Sequence, residues 1–326
     1  MMRGEMFISP LNEVFMLFQK KNLMPKPFRK GLTPFIVGML AVPVLWFFIF
    51  YVAVNFNSII MAFREIAGIG DDGKLQYIWG FGNFEKFFRE LTAPNVPGIR
   101  VAFFNTLKYF SLNFFVTIPL TYFVSYFMYK KIKGYKFFRV LFYSPQIISA
   151  TAMVIIYKNI IGGYGPLYEL VKLFGGELPA LLTYNATATP TILIYTLWVG
   201  FGVNIVLYQG AMGRLPEDVL EAGRIDGISW WRELFSVILP MCWGTISTTL
   251  LFAVTGLFNA SGPILLFGMN GQFETTTINF YIFQQVHDQA VYNYPAAIGL
   301  FFTLVNIPIV FGFRWLINKV DPEVEY

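Results

Sequence analysis

PFIVGMLAVPVLWFFIFYVAVNFNSII, residues 34–60, runs without a single charged side chain. A helix of roughly 20 apolar residues crosses the hydrocarbon of a bilayer, and only there does such a run satisfy both its side chains and its backbone. Comparable runs follow over Phe103–Tyr129, Val140–Ile161, Pro190–Met212, Val237–Ala260 and Pro295–Ile317. The pattern predicts an all-α, polytopic membrane helical bundle with about six transmembrane helices. With 326 residues, 56% hydrophobic and 13% charged, the chain has no room for a large soluble domain beside those spans.

Basic residues orient the spans, because short loops rich in Lys and Arg stay on the cytoplasmic side. Lys20, Lys21, Lys26, Arg29 and Lys30 precede the first span, and Lys130, Lys131, Lys133, Lys136 and Arg139 join the second to the third. The connection Ser261–Tyr294 has neither Lys nor Arg. Both termini are therefore expected in the cytoplasm of a bacterial cell, in a multi-pass protein of the inner membrane. The expected divisions are a cytoplasmic segment 1–33, a transmembrane domain 34–318 and a cytoplasmic tail 319–326. Glu5 interrupts the opening residues, so a cleaved signal peptide is not expected. Leu11, Val14, Phe15 and Phe18 share one helical face after Ser9 and Pro10, which suits an interfacial helix or one packed on the bundle.

Several function classes drop out. The formal charge of +5 lies in clusters beside apolar runs, where it meets lipid headgroups rather than nucleic acid. Cys242 is the only Cys and His287 the only His, so neither a disulfide, a metal cluster nor a nucleophilic triad is framed, and no catalytic or metal-binding residue is assigned. Gly68-Ile-Gly-Asp-Asp-Gly73-Lys74 has the glycine and lysine spacing of a phosphate loop, but Leu75 stands where Ser or Thr should hold magnesium. An ion-coupled carrier would place paired ionisable groups at mid-membrane, and an intramembrane enzyme would cluster acids or His at one interface. Apart from Lys108 near the start of span two, the sequence shows neither.

The informative loop lies between spans four and five and reads LPEDVLEAGRIDGISWWRELFSVILP, residues 215–240. Pro216 suits a first helical turn, Glu217 and Asp218 suit its positive end, and Val219, Leu220 and Ala222 supply an apolar side. Gly227 can end this short helix in a left-handed cap. A rigid helix held outside the bilayer by two spans is a handle for a partner protein.

Glu221-Ala222-Gly223, Gly227 and Val237-Ile238-Leu239-Pro240 resemble the EAA loop of ABC importer permeases, with Gly223 in place of the third Ala and Val237 in place of Ile. Asn105-Thr106-Leu107, Ser144-Pro145, Trp198-Val-Gly-Phe-Gly and Thr275-Thr-Thr before Tyr281 extend the likeness, which is to the carbohydrate branch and the larger maltose-type permease subunit. The resemblance implies import of a sugar or oligosaccharide received from an extracytoplasmic solute-binding protein. It also implies a second permease subunit and two ABC ATPase subunits; ATP and Mg would be bound there, with no cofactor in this chain. Glu221, Ala222, Gly223, Asp226 and Gly227 are the residues expected to couple to the ATPases. A non-sugar solute is the alternative cargo within the same class.

A sugar needs hydrogen-bond partners and a flat apolar surface. Span four offers Trp198, Gly200, Phe201, Asn204 and Gln209, and span five Thr255, Phe258, Asn259 and Ser261. Gly200 falls on a matching Gly of the maltose permease, whereas Val203 replaces an aromatic contact and Asn259 does not align with that protein's amides. Gly200, Asn204, Thr255, Phe258 and Asn259 are the candidate pathway residues. For Asn204 and Asn259, bonding between helices is an equal alternative.

Overall fold

The computed structural model describes residues 32–69, 73, 75–93, 97–269 and 272–321. The basic cluster and the amphipathic stretch ahead of Gly31 lie outside the described residues. By internal contacts the chain falls into two units that meet between Asn57 and Ser58. The apolar helix α1 runs from Leu32–Trp46 through a π-helical segment, Phe47–Val52, into Ala53–Ala62.

Beyond it the chain is largely helical, with one departure from an all-α reading. An antiparallel hairpin of β1 (Arg64–Ile69) and β2 (Leu75–Trp79) pairs Arg64 with Trp79 and Ile69 with Leu75. The glycine-rich stretch read as a phosphate-loop look-alike begins in β1 and is followed by β2. The hairpin leads into α2 (Gly82–Thr92), whose first amide, Gly82 N–H, donates to the Glu65 carboxylate. A Cβ on Gly80 or Gly82 would collide with that carboxylate, so both glycines make room for the anionic cap.

Helix α3 is continuous through Pro97–Ser111, a π segment Leu112–Thr117 and Ile118–Tyr129. Pro119 explains the widening, since it lacks an N–H and its ring would strike the carbonyl one turn back. The Thr117 hydroxyl returns a bond to the Leu112 carbonyl at 3.2 Å. Helices α4 (Tyr135–Ile147) and α5 (Ala150–Ile161) follow, then α6 (Pro166–Leu173) and the long α7 (Asn185–Met212). Gly202 lets α4 lie against α7, because a Cβ there would sit 2.3 Å from Gln146 Cγ, and Gln146 donates to the Val199 carbonyl at 2.8 Å. After the loop come α8 (Glu217–Ile225), α9 (Trp230–Met241, with a π segment Glu233–Ile238), α10 (Trp243–Thr255), α11 (Ile278–Gln289) and α12 (Asn293–Val320).

Among the described residues four helices are long and apolar enough to cross a membrane: Pro34–Ala62, Gly98–Tyr129, Asn185–Met212 and Asn293–Val320. A fifth crossing exists if Trp230–Met241 and Trp243–Thr255, bent by 77°, count as one. Two expected spans are thus not single helices. Val140–Ile161 is broken at Ile148 and Ser149, both extended, where the Ser149 hydroxyl caps α5 by accepting from Ala152 N–H. Val237–Ala260 is broken at Cys242 (φ −94°, ψ 5°), two residues after Pro240. Helix α10 has 13 residues and so rises only about 20 Å, after which turns carry the chain past Phe258.

Four apolar clusters of described residues hold the second unit together, a small one around Met128, Phe201 and Ile205 and three larger ones. One joins α3, α7, α8, α9 and α10 through Tyr122, Tyr126, Tyr208, Leu220, Leu234 and Ile238, and includes the buried Cys242. A second joins α5 and α7 to the segment before α11 through Tyr157, Tyr195 and Phe267. The third joins α2, α3, α11 and α12 through Phe87, Ile99, Ile298 and Phe302.

Asn105 on α3 clamps the turn before α11: its Nδ2 donates to the Glu274 carbonyl at 2.6 Å and the Thr276 carbonyl at 3.0 Å. Thr106 accepts from Ile278 N–H at 3.0 Å beside it. Replacing Asn105 by Ala removes both of these bonds and leaves the Glu274 carbonyl with Thr189 as its donor, and we expect a loss of about 2 kcal/mol. Limited proteolysis should then cut residues 268–277 faster than in the parent protein, with the cleavage rate as the measurement.

Candidate functional site

Helix α8 owes its start to the Met212–Pro216 turn and its two first-turn acids, and its end to Gly227. Pro216 stands just ahead of the first turn, in extended conformation. At the other end Gly227 has φ +67°, Gly227 N–H donates to the Arg224 carbonyl and Ile228 N–H donates to the Gly223 carbonyl, both at 3.1 Å. This pair of bonds closes a Schellman motif, with Gly227 as its left-handed residue. The same motif explains Gly223: a Cβ there would lie 2.8 Å from Ile228 Cδ1, so the Ile228 side chain occupies the place of the missing methyl.

Exposure divides the helix. Leu215 and Leu220 are buried in the cluster with α3 and α7, whereas Glu221, Ala222 and Asp226 are exposed. Val219 and Ala222, expected on the apolar underside with Leu220, face outward instead. Ile225 is 86% exposed in the last turn, an apolar side chain standing clear of the protein. Its position one residue before Asp226 was visible in the sequence, but its outward direction depends on where the helix rests.

Beneath the loop, Glu233 at the start of the π segment of α9 is buried and ion-paired with Lys130 at the end of α3. The Tyr126 hydroxyl donates to the same carboxylate at 3.3 Å, and the Tyr122 hydroxyl donates to the Leu234 carbonyl at 3.3 Å. Trp230 packs against Phe127 with ring centroids 5.6 Å apart and the rings tilted by 51°. These contacts fix the chain leaving the loop to the far end of the second span. Sequence reasoning used Lys130 only as a marker of sidedness and passed over Glu233; a lone acid beside Pro240 near an apolar run was the available signal.

The candidate pathway residues are dispersed. Gly200 faces Thr117, whose Cγ2 would lie 3.2 Å from an added Cβ, so this glycine serves the approach of α7 to α3. Phe258 packs on Phe302 with centroids 4.7 Å apart and belongs to the third core cluster. The Thr255 hydroxyl bonds to its own helix at Leu251, while its carbonyl accepts from Asn306 Nδ2 at 2.9 Å. Asn259 is exposed and its carbonyl accepts from Asn279 Nδ2 at 3.2 Å. The Asn204 side chain is half-buried and bonds to no other described residue. Gln209 accepts from the Tyr143 hydroxyl at 3.2 Å, a bond between helices. His287 is exposed and stacks on Phe283, and no group of three potential metal ligands occurs among the described residues.

A bundle of membrane-length helices carrying one rigid loop helix outside its apolar core defines the class as a membrane permease component. Residues 117–326 match the family described as binding-protein-dependent transport system inner membrane component, and the chain belongs to that family. Protein LplB of Bacillus subtilis (strain 168) is 23% identical over 290 residues, which is 87% of this chain and 89% of that one. The arabinooligosaccharides transport system permease protein AraP of the same organism is 24% identical over 82% of this chain and 83% of its own. The alpha-glucoside transport system permease protein AglF of Rhizobium meliloti (strain 1021) is 26% identical over 57% of this chain and 56% of that protein. In fold the chain is similar to a bacterial ABC transporter involved in import of the acidic polysaccharide alginate, with a TM-score of 0.75, 21% identity and coverage of 88% of this chain and 96% of that one.

Two expectations follow from the geometry. Lys130→Met strands the buried Glu233 carboxylate and should cost about 3 kcal/mol, the low end for a broken buried pair because Lys130 keeps partial exposure. The double variant Lys130→Met/Glu233→Leu should recover most of it in thermal unfolding of the detergent-solubilised protein. Gly227→Ala forces an L-residue into the left-handed region and should lower stability by about 1 kcal/mol, whereas Gly223→Ala needs only the tip of Ile228 to move and should be near neutral.

Proposed function

We propose that this chain is the permease subunit of an ABC importer and forms half of a pathway for a sugar or oligosaccharide. The carrying observation is the loop helix α8, rigidly capped, anchored below by Leu220 and exposing Glu221, Ala222, Ile225 and Asp226. Such a surface suits docking into a groove on a separate ATPase subunit, with Ile225 as its apolar contact and the two acids as its polar rim. In this reading ATP and Mg sit in a pair of such subunits, a second permease completes the pathway, and an extracytoplasmic binding protein delivers the cargo. The family's description names a binding protein.

A saccharide cargo is supported by what the relatives are called: an alpha-glucoside permease, an arabinooligosaccharide permease and a multiple sugar-binding permease of Streptococcus mutans. Six crossings with both termini in the cytoplasm result if α4 with α5, and α9 with α10, each make one broken crossing. The basic residues after Tyr129 and their lack in Ser261–Tyr294 support that orientation. Of the pathway candidates, Asn204 and Asn259 keep side chains free to meet a sugar hydroxyl, while Gly200 and Phe258 act through packing.

The test is transport by the chain assembled with its ATPase and second permease in proteoliposomes. Glu221→Ala and Gly227→Pro should each reduce uptake at least about tenfold, equivalent to about 1.4 kcal/mol of coupling, while the permease still folds. Uptake unchanged by both, or uptake by this chain without ATPase, defeats the reading.

A further inference from the structure

At the end of α3 remote from the loop, a cavity of about 490 Å³ opens between α3, the start of α7 and the turn Gln272–Glu274. Lys108 and Lys130 are separated along α3 by about 33 Å, roughly a bilayer's hydrocarbon thickness. The cavity's walls include Arg100, Phe104 and Lys108 from α3, Asn185 and Thr189 from α7, and Glu274.

The charges here are not compensated. The Lys108 ammonium donates to Asn105 Oδ1 at 3.1 Å, and Arg100 makes no hydrogen bond or ion pair with a described residue. Glu274 lines the same space but ion-pairs with neither cation, so the two cations and one carboxylate leave an excess of one positive charge. Lys108 stands near the far end of the apolar span and Arg100 two turns before it on the same helix, both exposed, so an anion can reach them. Phe104 lies between the two in sequence, on that face, and is 52% exposed. An aromatic ring beside two cations and the Asn185 amide, which bonds to no described residue, offers more than a bare phosphate needs. It matches a sugar ring: apolar C–H face on Phe104, hydroxyls on Asn185 and Glu274, an acidic group on Arg100 and Lys108.

We propose that this cavity binds the carboxylate of an acidic saccharide, so that the cargo class is uronate-bearing rather than neutral. The proposal rests on the import reading above and deepens it. The turn that completes the cavity is held by Asn105 and Thr189, which both bond to the Glu274 carbonyl, so the site is preformed.

The full chain in phosphatidylcholine nanodiscs, titrated with trigalacturonate and with maltotriose, tests the site directly. Trigalacturonate should bind more tightly than maltotriose and weaken as salt rises. Arg100→Gln and Lys108→Gln should each weaken it about tenfold, while Arg100→Lys retains most of the affinity and maltotriose binding is unchanged throughout. Arg100 has no hydrogen-bond or ion-pair partner among the described residues, so its variant answers even if Lys108→Gln loosens the Asn105 clamp. Equal binding of the two sugars, or no effect of Arg100→Gln, overturns the proposal. Retention of added phosphatidylglycerol by the parent but not by Arg100→Gln, without trigalacturonate binding, assigns the cavity to a lipid headgroup and also overturns it. In the assembled importer, uptake of maltotriose but not trigalacturonate refutes the acidic cargo and leaves sugar import standing; uptake of neither, with trigalacturonate still bound by the chain, refutes the import reading alone.

Discussion

Glu233 has left water, and a carboxylate so placed must keep a cation and a donor beside it or drag the surrounding helices apart. Lys130 and the Tyr126 hydroxyl meet that demand, both from the last turns of α3. The pair gains little net energy over an apolar contact of the same shape, because desolvating two charges consumes most of their attraction. Its value is geometric. The carboxylate can be satisfied in one relative placement of α3 and α9, and the loop helix α8 sits on the chain between α7 and that placement. Leu220 in the shared core then leaves α8 no freedom to slide independently of the cluster below it.

The helix breaks act on the same joint. Pro119 and Pro240 each follow a π segment by two residues, Leu112–Thr117 and Glu233–Ile238. Within the π segment of α9 the Leu234 carbonyl already accepts from Leu239 N–H, and the Tyr122 hydroxyl reaches across from α3 to the same oxygen. That bond adds a second tie between the same two helices, while the Thr117 hydroxyl bonds back to the Leu112 carbonyl on its own helix. Since α9 meets α10 at 77°, a displacement of α8 is passed to α3 through these ties more directly than down a straight fifth span.

What the sequence disclosed follows from what its signals depend on. Hydropathy reports residue type, so α1, α3, α7 and α12 were legible to within a turn or two at each end. It is blind to backbone continuity, which is why Val140–Ile161 and Val237–Ala260 read as whole spans despite the breaks at Ser149 and Cys242. Gly227 was legible as a left-handed cap because the requirement is local. Gly223 was not, because its reason is the side chain of Ile228 folding back over it. Gly200 and Phe258 looked like pathway residues on composition, yet a glycine against Thr117 and a phenylalanine against Phe302 are explained by packing alone. Polar residues in a span mark either a pathway or a joint between helices, and only a partner in space separates the two, as Tyr143 does for Gln209.

Helix α3 thus has a fixed attachment at each end. One end holds Asn105 to the carbonyls of Glu274 and Thr276, the other holds Lys130 to Glu233, and its middle is pressed on α7 where Gly200 meets Thr117. A packed helix of this kind moves as a body, since close-packed contacts shift between discrete arrangements rather than deform continuously. If α8 tilts α3 through Glu233, the tilt arrives at Arg100 and Lys108, which line a space whose opposite wall belongs to α7. Motion of α3 against α7 would change the separation between those cations and Asn185. The cations at the far end are the groups on α3 whose partners are least settled, and they stand where a change driven from the loop would alter the shape of a binding space most.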